Sequence, residues 1–276
     1  MALNSVNTNV GAMIALQNLQ VTNSELSTVQ SRINTGKKVA SAKDNGAIWA
    51  IAQGQRAEIG ALNAVKDSLN RGQSAVDVSL AAGESVSDLL VQLKEKALAA
   101  TDTSLTTAAR NALNEDFTSI RDQIATVVNN ASFNGVNLLD GSSTAGFQAL
   151  ANVAGSTITI NDEDMSLSGS IVTLGAAEAI DTASAATAAL AKVDASIANV
   201  SASLARLGTG SKSLGTHLSF VGKLQDTLEA GVGNLVDADL AKESARLQSL
   251  QTKQQLGVQA LSIANSSTSI LLGLFR

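Results

Sequence analysis

The chain has no cysteine, no proline and no tyrosine, and aromatic residues make up only 2% of it. Without cysteine there is no disulfide, no thiolate metal ligand and no thiol nucleophile, an absence that suits cytosol and exterior alike. Average usage of about 5% would place roughly 14 prolines in a chain of this length. Their absence removes the residue that costs about 3 kcal/mol inside a helix and takes slow X–Pro isomerisation out of folding, so long unbroken helices are expected. With so few rings, a core must be assembled from Leu, Val, Ile and Ala instead of the aromatic side chains that usually carry much of the burial. No run approaches the roughly 18 apolar residues of a membrane-spanning helix. Met1 to Gln20 contains no Lys or Arg, and its apolar residues alternate with Asn and Gln, so it does not read as a cleaved secretory signal. The formal charge of −5, without basic clusters, argues against nucleic acid as a partner.

What is present is apolar periodicity, and it reaches both ends. Leu3, Val6, Val10, Met13, Leu16, Leu19, Leu26, Val29 and Ile33 recur at spacings of three, four or seven near the start. Leu240, Leu247, Leu250, Val258, Leu261, Leu272 and Phe275 form a similar stripe at the end. Termini of soluble domains usually fray into polar tails, and a lone helix needs a partner for its apolar face. The two ends can pair with each other, but two helices alone leave much of this surface wet. The expectation is therefore a polymerisation interface, with these sixteen positions buried against other copies of the same chain.

Between the ends, residues 36–46 carry Gly36-Lys37-Lys38 and Ser41-Ala42-Lys43-Asp44-Asn45-Gly46 and read as a linker. A helix is predicted from about Ala47 to Ala100, with Gly72 and Gly83 in its apolar stripe allowing close approach of a neighbour. After a loop at Thr101–Thr107, a third helix ends near Asn130. Residues 132–176 read as a small β region, with turn chemistry at Phe133-Asn134-Gly135-Val136 and β-prone runs at Thr157-Ile158-Thr159-Ile160 and Ile171-Val172-Thr173-Leu174. The strongest pattern follows. Leu190, Val193, Ile197, Val200, Leu204, Leu207, Ser211, Leu214, Leu218, Val221, Gln225, Leu228, Val232 and Leu235 alternate spacings of three and four, the heptad of a left-handed coiled coil. The fold class is thus mainly α: a long antiparallel coiled-coil rod, both termini as paired helices at one end, and a small β tip at mid-chain. The expected segments are 1–35 and 237–276 for the terminal helical domain, 36–46 for the linker, 47–131 and 177–236 for the rod, and 132–176 for the β region.

Catalytic constellations are thin, and no cofactor is expected. The single histidine, His217, sits beside Leu214 and Leu218 and reads as a polar contact of the stripe. Glu84 with Asp88, and Glu115 with Asp116, read as solvated helix faces. Asn161-Asp162-Glu163-Asp164 lacks the full pattern of a calcium loop and reads as a polar turn. Thr35-Gly36-Lys37-Lys38 and Gly208-Thr209-Gly210-Ser211-Lys212-Ser213 both miss the spacing of a phosphate loop. Trp49 is open to two readings, simple packing or an anchor at a joint. The serines and threonines of 142–173 read either as exposed loop or as acceptors of O-linked modification.

Four stretches together resemble bacterial flagellin. They are Asn7-Thr8-Asn9 with Ala15-Leu16-Gln17-Asn18-Leu19; Arg32-Ile33-Asn34-Thr35-Gly36 running to Ser41-Ala42-Lys43-Asp44; Phe133-Asn134-Gly135-Val136 with Leu138-Leu139; and Asp237-Ala238-Asp239 with the terminal Leu271-Leu272-Gly273-Leu274-Phe275-Arg276. The resemblance spans well over half of the chain. It implies a structural, non-enzymatic subunit that leaves the cell unfolded through a type III export channel and adds at the tip of a hollow helical filament outside the cell. It also implies partners: further copies in a helical homopolymer that can include sibling flagellins, the export apparatus and its chaperone, and the filament cap and hook-associated proteins, with no membrane insertion. The short centre resembles the alphaproteobacterial, two-layer branch. A hook–filament junction protein of the same export system is the alternative.

Overall fold

The computed structural model describes residues 8–273, with side chains described through residue 266. The chain is mainly α. In order it forms α1 (Val10–Thr35), α2 (Gly46–Ala100), α3 (Thr107–Asn130), β1 (Ser132–Phe133), β2 (Val136–Asn137), β3 (Phe147–Leu150), β4 (Thr157–Ile160), α4 (Ala183–Val236) and α5 (Leu240–Gly273). Two compact units result: residues 1–57 with 227–276, and residues 58–226.

In the first unit α1 and α5 pair antiparallel. Asn9 Nδ2 donates to Ala264 O at 2.8 Å, Gln254 Nε2 to Asn23 Oδ1 at 2.7 Å, and Arg32 Nη1 to Glu243 Oε1 at 3.2 Å. Asn9 also caps α1, its Oδ1 accepting from Ala12 N at 2.9 Å, which satisfies one of the donors a helix start leaves open. The helix ends where Gly36 turns left-handed at φ 68°, a conformation only glycine adopts freely. The segment read as a linker is instead strapped down. Lys38 N and Val39 N both donate to Val236 O at 2.8 and 3.2 Å, and Ala238 N donates to Gly36 O at 2.9 Å. Asp44 Oδ2 accepts from Ala40 N, Ser41 N and Ser41 Oγ at 3.0, 2.9 and 3.1 Å. Those bonds, from Ser41 above all, hold its carboxyl below the usual range.

In the second unit α2 and α4 run antiparallel. Lys66 meets Gln225, Gln73 Nε2 donates to Ser211 Oγ at 2.6 Å, and Lys94 pairs with Asp194 at 2.7 Å. A Cβ on Gly83 would lie 2.7 Å from Leu204 Cδ2, so glycine there is what lets the two helices approach. α3 packs on α2 through Lys96–Asp116 at 2.7 Å and Arg110 Nε donating to Ala100 O at 3.2 Å. Leu69, Leu90, Leu93, Phe117, Ile124, Val193, Val200, Leu207 and Leu214 form the core, each at most 1% exposed.

The β region departs from expectation in two ways. Asn134 and Gly135, with φ of 51° and 81°, close the β1–β2 hairpin as an Asn-Gly turn should. β4, however, pairs antiparallel with β3, Phe147 opposite Ile160 and Leu150 opposite Thr157. The run Ile171–Leu174 is no strand; Val172 and Leu174 are fully buried, and Asn199 Nδ2 donates to Ile171 O at 3.2 Å. Nor is the hairpin a tip. It lies back along the helices, with Leu150 N donating to Ser68 Oγ at 3.0 Å and Phe147 standing over Gly72. Ser68 is 32 residues from the end of α2, about 48 Å along a helix. Two-stranded hairpins are marginal alone, and this one gains stability by covering both helices.

The rod-core positions divide. Val193, Val200, Leu207 and Leu214 are buried, but Leu190, Ile197, Leu204 and Leu218 are only half-buried. The other shoulder of the same stripe is the buried one, with Ala189, Ser196 and Ser203 each 0% exposed. The segment 161–180 covers that shoulder. Ser196 Oγ accepts from Thr173 N at 3.1 Å and donates to Lys192 O at 2.8 Å, while Ser203 Oγ donates to Glu163 Oε2 at 2.8 Å. Small side chains admit the covering segment, and each buried hydroxyl is paired, which removes the cost of burying it.

Candidate polymerisation surface

The terminal stripes serve two surfaces. Val29 is 1% and Leu250 3% exposed, both buried in the α1–α5 seam, which corrects the expectation that they wait for another copy. Leu19, Leu26, Ile33, Leu247 and Leu261 are half-buried along it. Val10, Met13, Leu16, Leu240 and Val258 face outward, Met13 at 62% exposure. Leu3, Val6, Phe275 and the side chain of Leu272 lie outside the described residues.

Four outward residues escaped the sequence reading: Ile14, Val21, Leu256 and Ile263, all more than half exposed. The signal was there. Ile14 and Val21 are one heptad apart, and so are Leu256 and Ile263, marking a second apolar face on each helix. Of fourteen large apolar side chains exposed among the described residues, ten belong to the first unit. Full burial of such a side chain is worth about 1.5–3 kcal/mol, and these ten are 46–69% exposed, so about half of that stabilisation is still unused. Apolar exposure concentrated on one pair of helices marks an interaction surface.

Beside the seam, a cleft of about 480 Å³ is lined by Arg32, Lys38, Asp44, Asp239, Glu243 and Arg246 among others. Its charges are largely matched within the chain. Arg32 engages Glu243, Asp239 Oδ1 caps α5 by accepting from Ala241 N and Lys242 N at 3.0 and 3.1 Å, and Asp44 holds the strap. Glu243 Oε2 is buried without a hydrogen-bond donor. Trp49 is half-buried in α2. His217 Nε2 lies 2.6 Å from Ala151 O, and since a carbonyl only accepts, this nitrogen carries the hydrogen. That contact ties the β3–β4 turn to α4. Asp162 stands near Asp140, Glu163 and Asp164, and burial followed by these like charges raises its pKa; among the described residues no group of acidic and histidine side chains is arranged to hold a metal ion. No helix among them is long and apolar enough to cross a membrane.

A helical chain that pairs its ends and still presents apolar faces on both paired helices is built as a subunit of an assembly. Comparison with known proteins identifies which. Residues 6–144 match the bacterial flagellin N-terminal helical region and residues 190–275 the bacterial flagellin C-terminal helical region. The chain is 63% identical to flagellin FljK of Caulobacter vibrioides over the full length of both, and 39% identical to a flagellin of Brucella melitensis over 99% of each. A solved structure from Vibrio parahaemolyticus, described as a flagellar hook-associated protein, shares the fold at TM-score 0.56 and 16% identity, across 70% of this chain and all of that one. The chain belongs to the bacterial flagellin family, with alphaproteobacterial relatives, and is a structural subunit of the flagellar filament. The hook–filament junction reading is not favoured, since its likeness extends to the fold alone.

Proposed function

We propose that the outward side chains of the paired terminal helices, Val10, Met13, Ile14 and Leu16 on α1 with Leu256, Val258 and Ile263 on α5, are the surface through which copies polymerise. The expected contributions of Leu3, Val6, Leu272 and Phe275 belong to the same proposal, as does the role of residues 1–35 and 237–276 as the polymerisation domain. The carrying observation is that both helices remain apolar on faces that the α1–α5 seam does not cover. Burial against neighbouring copies supplies free energy through many small gains, set against the freedom lost on association. The contact is heterologous and does not close, so it builds a helix instead of a ring.

The chain acts structurally and catalyses nothing. Its place is outside the cell, in the filament, mixed with sibling flagellins where these are made. It reaches that place unfolded, through the flagellar export apparatus with an export chaperone, and meets the filament cap and hook-associated proteins there. The test is removal of residues 261–276. The shortened chain should stay folded and soluble by circular dichroism yet form no filaments by electron microscopy after seeding. Filaments from the shortened chain would overturn the assignment of the surface.

A further inference from the structure

The chain contains two Asn-Gly dipeptides, Asn45-Gly46 and Asn134-Gly135. Both are exposed. Such a dipeptide carries a reaction of its own. The backbone nitrogen of the second residue can attack the side-chain carbonyl of the asparagine, and only glycine brings no Cβ to hinder the approach. What separates the two sites is how firmly the fold holds the reacting groups.

Asn45 is held. Its Oδ1 accepts from Ile48 N at 3.1 Å and its backbone oxygen from Trp49 N at 3.0 Å, so side chain and main chain are both committed to the start of α2. Ring closure there must break this cap and pull Gly46 out of the first turn of the helix.

Asn134 is not held. It has φ of 51° and Gly135 of 81°, in the two-residue turn between β1 and β2. The ladder pairs Phe133 with Val136 and Ser132 with Asn137, and the turn residues lie outside it. Among the described residues no hydrogen bond holds the Asn134 side chain or the Gly135 N–H. A Cβ on Gly135 would meet nothing within 4 Å, so the space around the attacking nitrogen is open. β1 and β2 have two residues each, and so short a hairpin is marginal and opens readily at its turn. The anchor of this segment lies beyond the turn, where buried Asn137 donates through Nδ2 to Val128 O at 2.7 Å.

We propose that Asn134 is a site of spontaneous, one-way covalent modification, from which Asn45 is protected by its place at the start of α2. The Gly135 nitrogen bonds to Asn134 Cγ, and the Cγ–Nδ2 bond breaks. Ammonia leaves with the proton that the Gly135 nitrogen gives up. Water then opens the five-membered imide at one of its two carbonyls. Attack at the side-chain carbonyl leaves an aspartate. Attack at the main-chain carbonyl leaves an isoaspartate, whose backbone is one carbon longer and no longer fits a two-residue turn. Either product adds a negative charge to the turn, and neither regains the amide. The step needs neither an enzyme nor a second copy, so the full-length monomer tests it independently of filament growth.

Full-length protein is kept folded in dilute solution at mildly alkaline pH and, in parallel, unfolded in guanidinium chloride. Samples are digested at intervals, and the peptides are separated by chromatography and weighed by mass spectrometry. In the folded chain the peptide holding Asn134 should give way over days to two peaks of one mass, aspartate and isoaspartate. It should do so about tenfold faster than the peptide holding Asn45, the protection expected of a helix cap. In the unfolded chain the two sites should convert at similar rates, since the dipeptide is the same. Asn134→Gln, which would have to close a six-membered ring, should remove both products at this position and leave Asn45 as before. A folded chain in which Asn134 stays intact, or in which Asn45 keeps pace with it, overturns the proposal. So does an equal lead for Asn134 in the unfolded chain, which would place the cause in the neighbouring residues and not in the fold.

Discussion

The guanidinium of Arg206 on α4 grips both carboxylate oxygens of Glu163, Nε donating to Oε1 at 2.7 Å and Nη2 to Oε2. Glu163 is 7% exposed and also accepts from Ser203 Oγ, so this pair fixes the segment after β4 onto the shoulder of α4. The bond to the carboxylate also raises the Arg206 pKa. Arg206→Ala should leave Glu163 buried with one partner and cost about 1–3 kcal/mol in urea unfolding of the monomer. Glu163→Gln, which keeps an acceptor, should cost less.

Asp162 tests the electrostatics of the same region through pH. Its folded pKa lies above the ordinary 3.8, first because of burial and then because of Asp140 and Asp164. The folded chain thus holds this proton more tightly than the unfolded one. Its contribution favours folding at low pH and is lost as pH rises through the folded pKa. At neutral pH the ionised carboxylate is a cost. Asp162→Asn should therefore raise the melting temperature at pH 7, and the gain should vanish as pH falls below the ordinary carboxylate range.

Two helix glycines should respond oppositely to alanine. A Cβ on Gly208 would meet nothing within 4 Å, so Gly208→Ala should stabilise the monomer by about 1 kcal/mol through helix propensity alone. A Cβ on Gly72 would lie 2.9 Å from the Phe147 ring and 3.4 Å from Ala149 Cβ. Gly72→Ala should lose that gain and destabilise by about 1 kcal/mol, because the β3–β4 hairpin must lift. Denaturant midpoints compare the two directly.

The two faces of the terminal helices separate by mutation. Met13→Glu or Ile263→Glu, at 62% and 69% exposure, should leave the circular dichroism of the monomer unchanged while abolishing seeded filament growth. Val29→Ala, at 1% exposure, should instead weaken the α1–α5 pair, by about 1–2 kcal/mol, and show as loss of helix signal before any effect on filaments.

Much of this was legible from residue spacing. The loop between α2 and α3, the Asn-Gly turn at Asn134-Gly135 and the long helices all stand where periodicity and turn chemistry put them. The strap at residues 36–46 was not legible as one. Gly36 and the polar run that follows signal a bend, but the carbonyl of Val236 that holds Lys38 and Val39 lies almost 200 residues away. Likewise Thr157–Ile160 and Ile171–Leu174 both read as β-prone runs, and only the fold pairs the first with Phe147–Leu150 and leaves the second out of any strand.

The amino-acid sequence by itself determined that this is a helical chain with apolar ends, because helix propensity, the absence of proline and three-four spacing act locally and need no partner. Tertiary structure alone decided which side of each stripe is used. Ser196 and Ser203 lie fully buried while Leu190, Ile197 and Leu204 do not, and Val29 and Leu250 face each other's helix while Met13 and Ile263 face outward. Periodicity marks an apolar stripe about a hundred degrees wide. Its true centre depends on what packs against it, and that is set by residues far away in the chain.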